Sequence, residues 1–376
     1  MRLLHTSDWH LGRSFHREDM LGAQARFVDH LVETVRAESV DAVLVSGDLY
    51  DRALPPVDAV ALCDEALARL AAEKVRVIAI SGNHDSAQRL GFGAGLMSAS
   101  GVHVLADPRR VGEPVLLDDG TAVYGIPYLE PEVVRGAWDL PERGHAAALT
   151  EAMRRVRADL ATRGGRSVVL AHAFVTGGKT SDSERDISVG GVASVPLSVF
   201  DGVDYVALGH LHGHQRMSDT VRYSGSPLAY SFSEIKDVKG SLLVDLGSRV
   251  EVDFIEAPVP RRIGTLKGRL EDLLVSEEHT ALEDHWLQVT LTDPDRPAGA
   301  MERLRRRFPH TLALTFEPEG GPAADDRPWA ERIRDRSDLD IAYDFVREVR
   351  GAPADDAERA LLGEAFECCR RAEAAR

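Results

Sequence analysis

Residues 77–85 read Val77-Ile78-Ala79-Ile80-Ser81-Gly82-Asn83-His84-Asp85. Four aliphatic residues in succession, most of them β-branched and closed by Ser-Gly, predict a short strand buried on both faces. That strand runs directly into three side chains able to bind a cation or move a proton. Four other apolar runs end the same way. Leu3-Leu4 leads to Asp8 and His10, Ala42-Val43-Leu44-Val45 to Asp48, Val168-Val169-Leu170 to His172, and Val206-Ala207-Leu208 to His210 and His212. Ligands of open α/β sheets collect just beyond the strand ends, so one polar site assembled from five loops is expected.

Between the first runs, residues 19–38 carry Phe27, Leu31, Val32 and Val35, and residues 58–73 carry Val60, Leu62, Leu67 and Leu70, both at helical spacing. A βαβαβ order of this kind predicts parallel strands joined by right-handed crossovers. From 102 to 127 the pattern changes to short strands, Val102-His103-Val104-Leu105, Val115-Leu116-Leu117 and Ala122-Val123-Tyr124-Gly125-Ile126, with a turn at Asp118-Asp119-Gly120. A second sheet is expected there. Residues 130–163 read as loop and then helix, and 241–246 closes the larger unit near 255. Pro258-Val259-Pro260 reads as a linker, 263–316 as a small α+β unit, 319–326 as a second linker, and the remainder as a helical pair split at Gly351-Ala352-Pro353. The expected domains are 1–257, 263–318 and 327–376.

With 376 residues, 44% hydrophobic and 28% charged, the chain has the composition of an ordinary globular protein too long for one compact domain. No apolar stretch approaches the roughly 20 residues that span a bilayer, and the first residues lack the apolar core of a secretory signal. A cytoplasmic location without membrane contact is expected. Cys63, Cys368 and Cys369 cannot form a disulfide framework and read as thiols in a reducing compartment. The formal charge of −16 argues against broad adhesion to nucleic acid, but a site holding cations supplies local positive charge for a polyanionic substrate.

Each motif alone has a plainer reading. Asp8-x-His10 could be a surface loop, Asp48 a turn or helix-capping residue, and His172 a satisfied core histidine. Gly82-Asn83-His84-Asp85 is rarer: Asn83 offers a neutral carbonyl, and Asp85 can accept from the His84 ring and fix its tautomer. Asp8 and His10, and likewise His210 and His212, are two residues apart and share one face if the backbone is extended. Asp48 offers two oxygens that can bridge a pair of cations. Coincidence of all five at strand ends disfavours the plain readings taken together.

In order, these residues resemble the motif set of calcineurin-like metallophosphoesterases. Within that superfamily, residues 2–12, Ser183-Glu184-Arg185 with Val189-Gly190-Gly191, Tyr223-Ser224-Gly225-Ser226-Pro227, and Phe232-Ser233-Glu234 are similar to the SbcD family of bacterial nuclease subunits. The similarity is dense to about 255 and thinner afterwards. It implies a two-sheet αββα sandwich with a small α+β capping domain and C-terminal helices. It also implies a site in which Asp8, His10 and His212 hold one divalent ion, Asn83, His172 and His210 a second, and Asp48 both. The mixed oxygen and nitrogen set suits Mn²⁺. His84, oriented by Asp85, would protonate or stabilise the leaving oxygen. Asp51 is left open between a structural and a functional carboxylate. The chain departs from many relatives after His212, where Gly213 and His214 replace a basic residue and proline; His214 is expected to serve the loop and not the ions. Trp9 and Tyr50 are expected to pack around the ligand loops.

The activity so implied is 3′-to-5′ exonuclease action on duplex DNA ends and endonuclease action on hairpins or single strands, in DNA repair and recombination. The implied partners are DNA, a coiled-coil ATPase of the SbcC type and a second copy of the chain within a heterotetramer. The stripe Leu339, Ile341, Phe345, Val346, Val349, Leu361, Leu362 and Phe366 could dock that ATPase or serve as intrachain core. Two other functions stay open: phosphoesterase action on another phosphodiester such as a cyclic nucleotide, and a catalytically silent scaffold.

Overall fold

A computed structural model describes residues 1–188, 194–319, 336–350 and 352–374. Val189-Gly190-Gly191 and most of the second expected linker lie outside the described residues. The elements in chain order are β1 (Arg2–Thr6), β2 (Ser14–Phe15), β3 (Glu18–Asp19), α1 (Leu21–Ala37), β4 (Ala42–Val45), α2 (Val57–Ala72), β5 (Arg76–Ile80), α3 (Ala87–Leu90), α4 (Ala94–Met97) and β6 (Val102–Leu105). They continue with β7 (Val115–Leu116), β8 (Ala122–Ile126), α5 (Pro131–Trp138), α6 (His145–Arg163), β9 (Ser167–His172), β10 (Tyr205–Gly209), β11 (Gln215–Arg216), β12 (Val221–Tyr223), β13 (Gly240–Leu246) and β14 (Val250–Glu256). Last come β15 (Ile263–Gly268), α7 (Leu270–Val275), β16 (Trp286–Leu291), α8 (Ala300–Arg307), β17 (Thr311–Phe316) and two C-terminal helices, Asp338–Arg350 and Asp356–Ala374.

Two six-stranded sheets, ordered β14-β13-β1-β4-β5-β6 and β11-β12-β10-β9-β8-β7, form the larger part. Side-chain alternation along the strands builds the layers. Val43 and Val45 of β4 join the core beneath α1 and α2, whereas Ala42 and Leu44 join the core shared with the other sheet. On β10, Val206 and Leu208 face the α6 side while Tyr205 and Ala207 enter the same shared core. The strands are therefore apolar on both faces, and the architecture is the expected αββα sandwich. The helices bury one stripe each, α1 through Phe27, Val28, Leu31, Val32 and Val35, and α2 through Leu62, Cys63, Ala66, Leu67 and Leu70.

Polar contacts also join the layers. His5 on β1 places Nδ1 3.0 Å from the Tyr205 hydroxyl and Nε2 3.1 Å from the Leu208 carbonyl, and Ser46 Oγ donates to the Ala207 carbonyl at 2.9 Å. β1 and the carboxyl end of β4 are thereby held against β10.

Three details differ from expectation. β6 belongs to the first sheet, paired parallel with β5 (Val77↔Val102), so only β7 and β8 of that region enter the second sheet. β13 inserts antiparallel beside β1 (Leu4↔Leu243), which makes the first sheet mixed. A β2–β3 ribbon precedes α1 (Phe15↔Glu18). The chain divides into two compact units, Met1–Thr265 with Leu282–Gln288, and Leu266–Ala281 with Val289–Arg376. Strands β15, β16 and β17 form a three-stranded sheet in that order. Among the described residues no helix is long and apolar enough to cross a membrane.

Candidate metal centre

The five strand ends deliver their polar side chains to one buried spot. Ligand-type atoms of Asp8, His10 and His212 lie within 4.8 Å of one another, as do those of Asp8, Asp48 and His172, and those of His10, Asp48 and His84. Asp48 Oδ2 sits 3.7 Å from His10 Nε2 and 3.5 Å from His172 Nε2, between two clusters. The second cluster is completed by Asn83, whose Oδ1 is 2.9 Å from His172 Nε2 and 3.1 Å from His210 Nδ1.

The loops reach this geometry through unusual backbone. Asp8, His10, Asp48 and His210 have φ of 53°, 46°, 51° and 104°. The left-handed region costs an L-residue roughly 1–2 kcal/mol, and such strain collects at functional sites. The extended backbone expected for Asp8-Trp9-His10 and for 210–212 is therefore absent. Asp8 and His10 still meet, because each turns individually. His210 and His212 part: the first joins Asn83 and His172, the second joins Asp8 and His10. Glycine is required nearby, since a β-carbon at Gly82 would collide with Asp48 Oδ1 and one at Gly47, at φ +94°, with His172 Nδ1.

Hydrogen bonds fix the tautomers. His172 Nδ1 lies 2.9 Å from the Ser46 carbonyl, which only accepts, so Nδ1 carries the proton and Nε2 presents a bare lone pair to Asn83 Oδ1. Two acceptors facing each other at that distance repel unless a cation lies among them. His10 Nδ1 and Asn83 Nδ2 are buried with no hydrogen-bond partner among the described residues. Burial lowers the pKa of His172 to about 3 and holds those of His10 and His210 well below the ordinary value, the latter two helped by neighbouring imidazoles. Burial raises Asp8 to about 6 against the pull of His212, and raises Asp48, with the Asp85 and Asp8 charges adding to it. Neutral imidazoles and carboxylates lacking a counter-charge are a donor set completed by divalent cations. The residues fit two such ions.

One expectation about His84 is corrected. Asp85 does not hold its ring: the Asp85 carboxylate accepts from the backbone N–H groups of Gly82 (2.9 Å), Tyr50 (2.9 Å) and Leu49 (3.2 Å), tying the β4 and β5 exit loops together. These backbone donors engage both carboxylate oxygens. The His84 ring is instead held at Nδ1 by the Asp51 carbonyl at 2.7 Å, while its backbone N–H donates to Asp48 Oδ1 at 2.8 Å. Burial lowers the His84 pKa, with the Arg185 and Arg13 charges acting in the same direction. The Asp51 carboxylate lies 3.8 Å from His10 Nδ1 and 3.7 Å from Arg13 Nε. His214 stacks on Phe254 with ring centres 4.7 Å apart, away from the two clusters. Trp9 is fully buried and donates to Thr6 Oγ1 at 3.0 Å.

Sequence reasoning left Arg13, Ser183, Glu184, Glu234 and Lys239 without a role. Ser183-Glu184-Arg185 and Phe232-Ser233-Glu234 carry part of the family resemblance, but no apolar run marks them as a site. Glu184 Oε1 accepts the His212 backbone N–H at 2.8 Å, and Lys239 Nζ reaches the His212 carbonyl at 2.8 Å.

Residues 1–214, more than half of the chain, match the family described as calcineurin-like phosphoesterase. Residues 259–350 match the type 5 capsule protein repressor C-terminal domain, SbcD_C. Among solved structures, the chain is similar to TT1561 of Thermus thermophilus at 15% identity and a TM-score of 0.42, over 68% of this chain and 98% of that one. It is similar to the calcineurin-like phosphoesterase YfkN from Bacillus subtilis at 13% identity and 0.36, over 68% and 90%. It is similar to a dimetal phosphatase from Danio rerio at 16% identity and 0.42, over 69% and 99%.

Proposed function

Since the chain belongs to the calcineurin-like phosphoesterase family, we propose that it is a two-metal DNA nuclease of the SbcD type. The observation that carries this reading is the position of Asp48 between the His10 and His172 clusters, combined with a matched SbcD_C domain at 259–350. Asp8, His10 and His212 would hold one divalent ion, Asn83, His172 and His210 the other, and Asp48 would contribute to both. Mn²⁺ suits these donors. When bound, such ions supply Lewis acidity toward water and toward the oxygens of a phosphodiester.

The chain's own groups do the rest. With Nδ1 donating to the Asp51 carbonyl, the neutral His84 ring has its lone pair at Nε2, which would take up a proton from the nucleophilic water or from solvent and then give it to the leaving oxygen. Asp85 acts on the reaction only through the two loops that it joins. Arg13 and Arg185 bring positive charge to a site on an otherwise acidic protein and favour the approach of a polyanion.

We assign residues 1–257 as the nuclease domain, 263–318 as the capping domain and 327–376 as the segment that docks an SbcC-type ATPase. Phe345, Val349 and Leu361 on the C-terminal helices are more than half exposed, which favours docking over intrachain core for these three. A homodimer within a heterotetramer and a cytoplasmic location complete the proposal on the strength of the resemblance. The test is to incubate Mn²⁺-loaded protein with hairpin DNA, blunt duplex DNA and a cyclic nucleotide. Cleavage of both DNAs with an inert cyclic nucleotide supports the reading; hydrolysis of the cyclic nucleotide alone overturns it.

A further inference from the structure

His212 is held from behind by a buried chain of hydrogen bonds. Ser183 Oγ lies 2.5 Å from His212 Nδ1 and is hydrogen-bonded on its other side to Glu234 Oε1. Glu234 is itself paired through Oε2 with Lys239 Nζ at 2.5 Å, and all four side chains are nearly excluded from solvent. The direction of each bond follows from chemistry. Lys239 keeps Glu234 ionised, and a carboxylate only accepts, so the Ser183 proton goes to Glu234. Ser183 Oγ must then accept from His212, which places the imidazole proton on Nδ1 and leaves a lone pair at Nε2.

Ser181 Oγ, 2.8 Å from Ser183 Oγ, has Glu184 Oε2 at 2.8 Å as the nearer acceptor for its own proton and Glu234 Oε1 at 3.2 Å as a second, and either choice leaves Glu234 Oε1, with two lone pairs, able to accept from Ser183. Glu184 fixes the His212 backbone N–H and Lys239 the His212 carbonyl, so the backbone is pinned independently of the ring. The freed Nε2 faces His10 Nε2 at 3.0 Å.

We propose that Glu234, acting through Ser183, is a positioning residue that selects the His212 tautomer and aims its Nε2 lone pair at the ion shared with Asp8 and His10. Outer partners of this kind orient a ligand and raise its basicity. The proposal rests on the reading of His212 as a metal ligand. It gives a physical role to Ser183 and Glu234, which come from separate loops.

The test uses the full chain and Mn²⁺ alone, followed by calorimetric titration of the metal-free protein. Wild type is expected to bind two ions. Ser183→Ala should weaken only the ion that His10→Ala also loses, by roughly 10- to 100-fold, with little change in the melting temperature of the metal-free protein. Ser183→Thr, which keeps the hydroxyl, should restore binding. Removing Glu234 alone leaves buried Lys239 with only Asp237, 3.8 Å away, as counter-charge, so the second variant is Glu234→Gln with Lys239→Met, and it should show the same single-ion loss. Two ions bound with wild-type affinity in both variants would overturn the relay while leaving the metal site intact. Equal weakening of both ions would also overturn it. A wild-type chain that binds neither ion overturns the site reading on which the relay depends.

Discussion

The imidazoles of His10 and His212 meet with their Nε2 atoms 3.0 Å apart. Since Nδ1 of His212 is committed to Ser183, the His212 Nε2 is an acceptor, and the contact is stable only with a proton on His10 Nε2 or a cation among the donors. The Asp51 carboxylate 3.8 Å from His10 Nδ1 favours the His10 proton on that nitrogen and leaves Nε2 bare, so a divalent ion among the donors is the better solution.

Replacement of His10 by alanine should therefore remove one of two bound ions and leave the other. Inductively coupled plasma mass spectrometry on Mn²⁺-loaded, desalted protein reads this as a fall from two ions per chain to about one. Retention of both ions in His10→Ala contradicts the assignment of that cluster.

His84 is expected to act on the leaving oxygen and not on metal retention. His84→Ser should keep both ions and lose roughly 10²–10⁴-fold in DNA cleavage. A variant with full activity excludes the proton-delivery role, and a variant that loses an ion makes His84 a ligand.

Gly82 is tied to Asp48 by contact alone. In Gly82→Ala the new β-carbon meets Asp48 Oδ1 and the Asp48 backbone nitrogen, and overpacking of this kind costs roughly 1–3 kcal/mol. Thermal melting should show that loss, and both ions should bind more weakly because Asp48 stands between the clusters. Unchanged affinity for both would show that Asp48 holds neither.

His5 sets a pH dependence of stability apart from the metal loops. Burial pushes its pKa down to about 3 from 6.5, so below pH 6.5 the unfolded chain binds a proton that the folded chain refuses. Its contribution is fully present above pH 6.5 and is lost as pH falls toward 3. The melting temperature of His5→Gln should accordingly fall less steeply than that of wild type over this window. Equal slopes would remove His5 from the account.

Much of this was legible in the sequence because the ligand loops follow buried strands, and a buried parallel strand announces itself as an unbroken aliphatic run, as in Ala42–Val45. Tertiary pairing was not legible: β13 lies beside β1 although roughly 240 residues separate them, and no local pattern encodes that. Nor could spacing foresee the left-handed backbone at Asp8 and His10, which only the packed loops enforce. Adjacency in the chain suggests that Asp85 holds the His84 ring; the fold brings Leu49 and Tyr50 to it instead. Glu234 and Lys239 look like ordinary surface charges in the sequence, and their burial behind His212 arises from long-range packing.

The most direct test is anomalous diffraction from Mn²⁺-soaked crystals at the manganese absorption edge. The account predicts two peaks, one enclosed by Asp8, His10 and His212 and the other by Asn83, His172 and His210, with Asp48 in contact with both. A single peak, or peaks remote from Asp48, would contradict it.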